Sequence, residues 1–240
     1  MANAFVAKVT GFGGLREDDR KWLEKVSTNP RTVARNVDLI TEGEAPDHLM
    51  VILEGFAYRY KIILEGKRQI FAYLVPGDFC DLHVAILNTM DHSIATLSPC
   101  RIAYIPTRTV HELTETRPSL TKAFWWCTLV DEAVLREWLV NVGQRTADKR
   151  IAHLFCELHV RLDAVGWATD GSFDLPITQA ELADTVGLSS VHVNRSLKTL
   201  REAGLVTFRE NIVHIPDVTR LKAYANFTPN YLHLEIDRQS

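Results

Sequence analysis

Between residues 33 and 105 the apolar positions come in short β-type runs, at 37–40, 49–53, 56–63, 69–75, 94–97 and 101–105. The breaks between them are Glu42-Gly43-Glu44, Glu54-Gly55, Glu65-Gly66-Lys67 and Pro76-Gly77-Asp78, each with a glycine where a turn wants a positive φ. Many short strands at regular spacing predict a sandwich or barrel. Beyond 105 the period becomes helical. A brief helix is expected over 107–115, then a long one over 118–142, opened by Pro118 in the first turn, where a missing N–H costs nothing. In the long helix Leu120, Phe124, Cys127, Asp131, Val134 and Trp138 alternate at three- and four-residue steps and, Asp131 apart, form a coiled-coil seam. Trp125, Trp126 and Leu129 form a second face, expected to pack on the β-domain. Residues 143–146 read as a hinge. Thr146 is positioned to cap a helix over 147–162 with Ile151, Leu154, Phe155 and Leu158 on one face. Ahead of the strands, 15–26 reads as an amphipathic helix, whereas residues 1–14, with Gly11, Gly13 and Gly14, read as a flexible entry.

Residues 178–206 are the most informative. Thr178 can cap a first helix whose inner face is Leu182, Ala183 and Val186; Gly187 then allows a sharp corner, and Ser189 can cap a second helix. On that second helix Val193, Leu197 and Leu200 form the expected apolar stripe, and Ser190, Val191, Asn194, Arg195 and Lys198 share the opposite face. Ala183, Gly187 and Val193 stand at helix-turn-helix spacing. Residues 205–208 and 212–215 read as two strands around a Glu210-Asn211 turn, which makes the motif a winged one. An arginine on the outer face can fork onto guanine O6 and N7, and an amide can pair with adenine; Arg195 and Asn194 are the candidates. Thr178, Gln179, Ser189, Ser190, His192 and Lys198 are the remaining candidate contacts, mostly to phosphates. Asp217 can cap a last helix containing Val218, Leu221 and Tyr224, followed by a loose tail.

Composition changes this picture little. With 240 residues, 46% hydrophobic and 24% charged, the chain is long enough for two cored domains. No apolar run approaches a membrane span and no leader pattern is present, so the cytoplasm is the expected location. The net charge of -3 is unremarkable, but from Ser189 to Arg209 four basic side chains face the single acid Glu202. Cys80, Cys100, Cys127 and Cys156 contain no CxxC pair, so buried reduced thiols are expected rather than structural zinc.

The winged segment resembles the DNA-binding domain of the Crp/Fnr regulators, and the spacing of Gly43, Gly55, Gly66 and Gly77 is similar to the turn pattern of that family's sensor domain. The resemblance implies an α+β chain: a jelly-roll, cyclic-nucleotide-binding-like sensor domain (1–117), a dimerisation helix and hinge (118–145) and a winged helix-turn-helix (146–240). It also implies a homodimer on a double-stranded, pseudo-palindromic DNA operator, with RNA polymerase as a further partner and no catalysis. Where the best-known members place a glutamate on the reading face this chain has Val191, which offers only apolar contact, most naturally to a thymine methyl.

The sensor half departs from the family in ways that narrow its effector. The cyclic-nucleotide signature places a Glu for the ribose and an Arg for the phosphate after the Gly77-Asp78-Phe79 turn; here those positions hold Leu82 and His92, with Ser93 retained. Leucine cannot accept a ribose hydrogen bond and a largely neutral imidazole is a poor phosphate clamp, so cyclic AMP is disfavoured. The polar pair on the central helix that grips the base in such proteins is also missing, with Leu135 and Arg136 near its place. Phe79, Cys80, Asp81, Leu82, His92 and Ser93 remain the candidate lining of an effector pocket. No cysteine precedes Cys80, which excludes the N-terminal iron-sulfur mode. Cys80 with His83 keeps a haem-dependent sensor as an alternative, and convergence of His48, His83, His92 and His111 would suit a cupin-like metal enzyme, though no HxH pair supports it. No cofactor and no metal are expected.

Overall fold

Each β-type run forms a strand, and two of them, His48–Glu54 and Ser93–Thr96, are buried along most of their length rather than on alternate side chains. The computed structural model describes residues 3–82, 86, 87 and 89–234. The described residues divide into two units: 3–61 with those of 73–132 and 233–234, and 62–72 with 133–232. In chain order α1 (Ala4–Thr10) and α2 (Glu17–Val26) precede β1 (Arg31–Val33), β2 (Asp38–Ile40), β3 (His48–Glu54), β4 (Ala57–Ile62), β5 (Arg68–Leu74, mostly within the second unit), β6 (Ser93–Thr96) and β7 (Cys100–Pro106). They form two sheets, β1-β7-β3 and β2-β6-β4-β5, with Ile40, Met50, Ile52, Leu74, Cys80, Ile94 and Ile102 filling the space between them. Then come α3 (Thr107–Thr116) and the long α4 (Pro118–Gln144), along which the division between units falls.

The entry is not loose. Asn3 caps α1 by accepting from the backbone N–H of Phe5 and Val6, and Phe5 and Val9 are fully buried. Phe5 meets Phe79 edge-on with ring centroids 5.3 Å apart, and Lys8 pairs with the buried carboxylate of Asp78. A helix of seven residues is too short for its period to register in the sequence. Its seat explains Gly77: with φ at 96°, a Cβ there would come within 2.6 Å of the Ala4 carbonyl oxygen.

The two faces of α4 are exchanged relative to expectation. Leu120, Phe124, Cys127, Val134 and Trp138, the expected partner-facing seam, are buried within their own chain, and Asp131 pairs with Arg59 of β4 at 3.2 Å. Trp125 and Leu129, expected to meet the β-domain, are instead 67% and 59% exposed, and with Leu135 and Leu139 (76%) they form an apolar ridge. Trp126 alone of that expected face packs inward. Both stripes run at the same three- and four-residue steps, so periodicity could not separate them.

The second unit contains α5 (Ala147–Asp163), β8 (Ser172–Asp174), α6 (Gln179–Val186), α7 (Ser190–Glu202), β9 (Thr207–Arg209), β10 (Ile212–His214), α8 (Val218–Ala225) and a 3-10 turn, Pro229–Leu232. Thr146 stands at the N-cap of α5, but its side chain makes no capping bond there. The wing sheet has a third strand, β8, in the order β8-β10-β9, beyond the two strands expected from the sequence. In the core of this unit Glu157 of α5 is fully buried; it accepts from Trp138 Nε1 (2.9 Å), Tyr231 Oη (2.9 Å) and the Arg161 guanidinium (3.1 Å). Burial nonetheless holds its carboxyl above the usual carboxylate range. Tyr231 and Leu232 are thereby anchored, so this part of the expected loose tail is structure.

His153, one turn before Glu157, is equally enclosed. Phe227 and Tyr231 pack on its ring, and burial, aided by the Arg145 guanidinium, pushes its pKa down from 6.5 to about 3. Glu137 Oε1 lies 3.1 Å from Nε2 but outside hydrogen-bonding geometry and is held by Arg145 at 2.6 Å, so burial decides the sign. A depressed histidine contributes stability above its unfolded pKa and loses it on acidification, because the unfolded chain takes up a proton that the folded chain refuses. Thermal melts are therefore expected to lose stability as pH falls from 6.5 toward 3, and His153→Leu to flatten that acid limb; an unchanged limb in the variant would contradict the assignment. Among the described residues no helix is long and apolar enough to cross a membrane.

Candidate nucleic-acid interface

The turn between α6 and α7 is built by local chemistry. Thr178 Oγ1 accepts from Glu181 N at 3.1 Å while Glu181 Oε2 accepts from Thr178 N at 2.7 Å, a reciprocal box that fixes where α6 starts. Gly187 ends it in the left-handed region, φ 65° and ψ 41°, which a side chain would resist. Ser189 caps α7, accepting from His192 N, and its hydroxyl sits 2.8 Å from His192 Nδ1. Val193 and Leu200 are buried as expected. Ser196, not Leu197, completes the fully buried stripe, and Leu197 is half-buried: at 3.6 residues per turn both flank the contact line, and the small hydroxyl takes the tighter place.

Thr178, Gln179, Ser189, Ser190, Val191, His192, Asn194, Arg195 and Lys198 are all exposed. The start of α6 and the outer face of α7 are joined by a bond from Asn194 Nδ2 to Gln179 Oε1 at 2.7 Å. Lys198 lies 3.7 Å from Glu202 across an exposed helical turn, too weak a pair to withhold the lysine from phosphate. Glu210 and Asn211 both have positive φ, 51° and 64°, as a tight hairpin turn at the wing tip requires. Together these groups leave one guanidinium, two amides and one apolar side chain exposed on and beside α7. The sequence reading missed the Gln179–Asn194 bond, because residues 15 apart in sequence meet only through the angle between two helices.

The candidate pocket residues lie along one stretch, but their side chains are committed within their own unit. Phe79 packs on Phe5 and, at 5.0 Å, on Phe124; Cys80 enters the core; Ser93 Oγ accepts from Glu42 N; and the His92 ring lies between Asp91 (2.6 Å) and Asp81 (3.4 Å). Leu82 is half-buried. Arg59, not anticipated from sequence, donates to the Phe79 carbonyl as well as to Asp131. All four cysteines are free and buried; burial raises every thiol pKa, to about 11 for Cys100 and about 12 for Cys127 and Cys156. His83 lies outside the described residues, and among those described no three His, Cys, Asp or Glu side chains converge as metal ligands.

Comparison with known proteins agrees in both halves. Residues 149–224 match the Crp-like helix-turn-helix domain and residues 30–117 the cyclic nucleotide-binding domain. A probable transcriptional activator of Rhizobium leguminosarum bv. viciae is 28% identical over 212 residues, spanning 88% of this chain and 84% of the relative. The nitrogen fixation regulation protein FixK of Bradyrhizobium diazoefficiens is 27% identical over 175 residues, 72% of each chain. The solved structure of FixK2 from Bradyrhizobium japonicum superposes with a TM-score of 0.74 at 19% identity, over 81% of this chain and 96% of its own, a likeness of fold.

Proposed function

The chain belongs to the Crp/Fnr family of transcriptional regulators, which are not enzymes, and from that premise we propose that it binds a pseudo-palindromic operator as a homodimer. The observation that carries this reading is the exposed face of α7, with Arg195, Asn194, Val191 and Lys198 projecting beside the start of α6. Two such helices about 34 Å apart enter successive major grooves on one side of the duplex. Arg195 reads a guanine, Val191 meets a thymine methyl, and Ser190, His192 and Lys198 hold phosphates and register. RNA polymerase is the further partner, as in other activators of this family.

The ridge of Trp125, Leu129, Leu135 and Leu139 on α4 is the surface for the second protomer. Cyclic AMP is not the effector in this reading: Leu82 and His92 stand where ribose and phosphate partners are needed, and His92 is flanked by two aspartates that repel a phosphate.

Binding-site selection from random DNA tests the proposal. A recovered palindrome with a guanine in each half-site is expected, its affinity unchanged by cyclic AMP. Arg195→Ala should cost about 1–3 kcal/mol per half-site and relax preference at one guanine, while Lys198→Ala weakens specific and random DNA alike. Equal losses on both DNAs for Arg195→Ala would show that the roles are misassigned.

A further inference from the structure

An amide on a reading helix is ambiguous until something fixes which way it faces: rotated by half a turn, the same side chain exchanges its acceptor for its donor. In this protein Asn194 Nδ2 donates one hydrogen to Gln179 Oε1 at 2.7 Å, from the middle of α7 to the first residue of α6. Thr178 and Glu181 lock the backbone on which Gln179 sits. With the hydrogen anti to Oδ1 given to Gln179, Asn194 keeps its Oδ1 and its syn N–H side by side, an acceptor next to a donor. That order complements the N6 amino group and N7 of adenine in the major groove and no other base edge equally well. We propose that Gln179 is a positioning residue that fixes the amide of Asn194 for adenine, so that the two helices read one A·T pair jointly.

This rests on the DNA-reading role of α7 argued above. It adds that specificity at one base pair is set from α6, by a side chain that need not touch the base. It also separates two roles for Gln179, whose own NH2 group remains able to hold a phosphate: loss of a phosphate contact weakens all sequences, whereas loss of the lock narrows only the discrimination at one pair.

The test measures, for the full-length protein, affinity for its selected operator and for operators carrying each other base pair at every half-site position. Wild type is expected to favour A·T at one position by about tenfold or more, and Asn194→Ala to abolish that preference. Gln179→Leu removes the acceptor and should shrink the same preference to about twofold, with nothing further lost in the double variant. Gln179→Glu keeps an acceptor for Asn194 while facing the phosphates with a negative charge. It should weaken binding to all operators yet preserve the A·T ratio, which a merely structural role for Gln179 would not predict. The proposal is overturned if Gln179→Leu weakens every operator equally, if Gln179→Glu also erases the preference, or if Asn194→Ala changes no position. Failure of the wild-type protein to select any site would instead remove the DNA-reading role on which it rests, and this proposal with it.

Discussion

Arginine in place of Leu139 or Leu129 is expected to leave a folded monomer that no longer finds its operator. Both leucines stand on the apolar ridge of α4 and contribute little to their own subunit's core, so a charge there costs the monomer little. Across a twofold seam the same charge would be buried opposite its symmetry mate, the arrangement that interfaces tolerate least. With one recognition helix per particle, affinity should fall toward that for random DNA, about a thousandfold or more. Sedimentation equilibrium reads the first half of this expectation and operator titration the second. Intact dimers in both variants would move the proposed interface away from this ridge.

Glu157→Ala is expected to be the most damaging single substitution in the second unit. It strips the acceptor from Trp138, Tyr231 and Arg161 together, leaving a guanidinium largely enclosed without its carboxylate. Breaking a buried pair from one side costs about 3–5 kcal/mol. Denaturant unfolding followed by intrinsic tryptophan fluorescence should register that loss, whereas a change under about 1 kcal/mol would show that solvent reaches the cluster. Because burial holds the Glu157 carboxyl above the usual range, its ionised form is a net cost at neutral pH. Its contribution is therefore fully present below the unfolded carboxylate pKa and is lost as pH rises through the folded value, opposite in sense to that of His153.

These residues also mark what can be read from the chain alone. Thr178, Gly187 and Ser189 act within a few residues of themselves through caps and one left-handed turn, so the helix-turn-helix was legible down to its boundaries. Glu210 and Asn211 announced the wing for the same reason. Glu157 could not be foreseen: it sits among Leu154, Phe155 and Leu158, and its partners are 19 residues earlier in Trp138 and 74 later in Tyr231. On α4 the one usable hint was Asp131. A carboxylate interrupting an apolar stripe needs a cation, and that cation, Arg59, lies on a strand of the same chain, which turns the stripe inward.

The same ion pair constrains any small molecule that would wedge between β4 and α4. Such a molecule competes with a bond the protein already makes to itself, so only the fraction of molecules in which Arg59 and Asp131 have parted is able to receive it. Its apparent dissociation constant is the intrinsic one divided by that fraction. Any such guest therefore binds more weakly than its own contacts alone would dictate, by the cost of parting the two side chains.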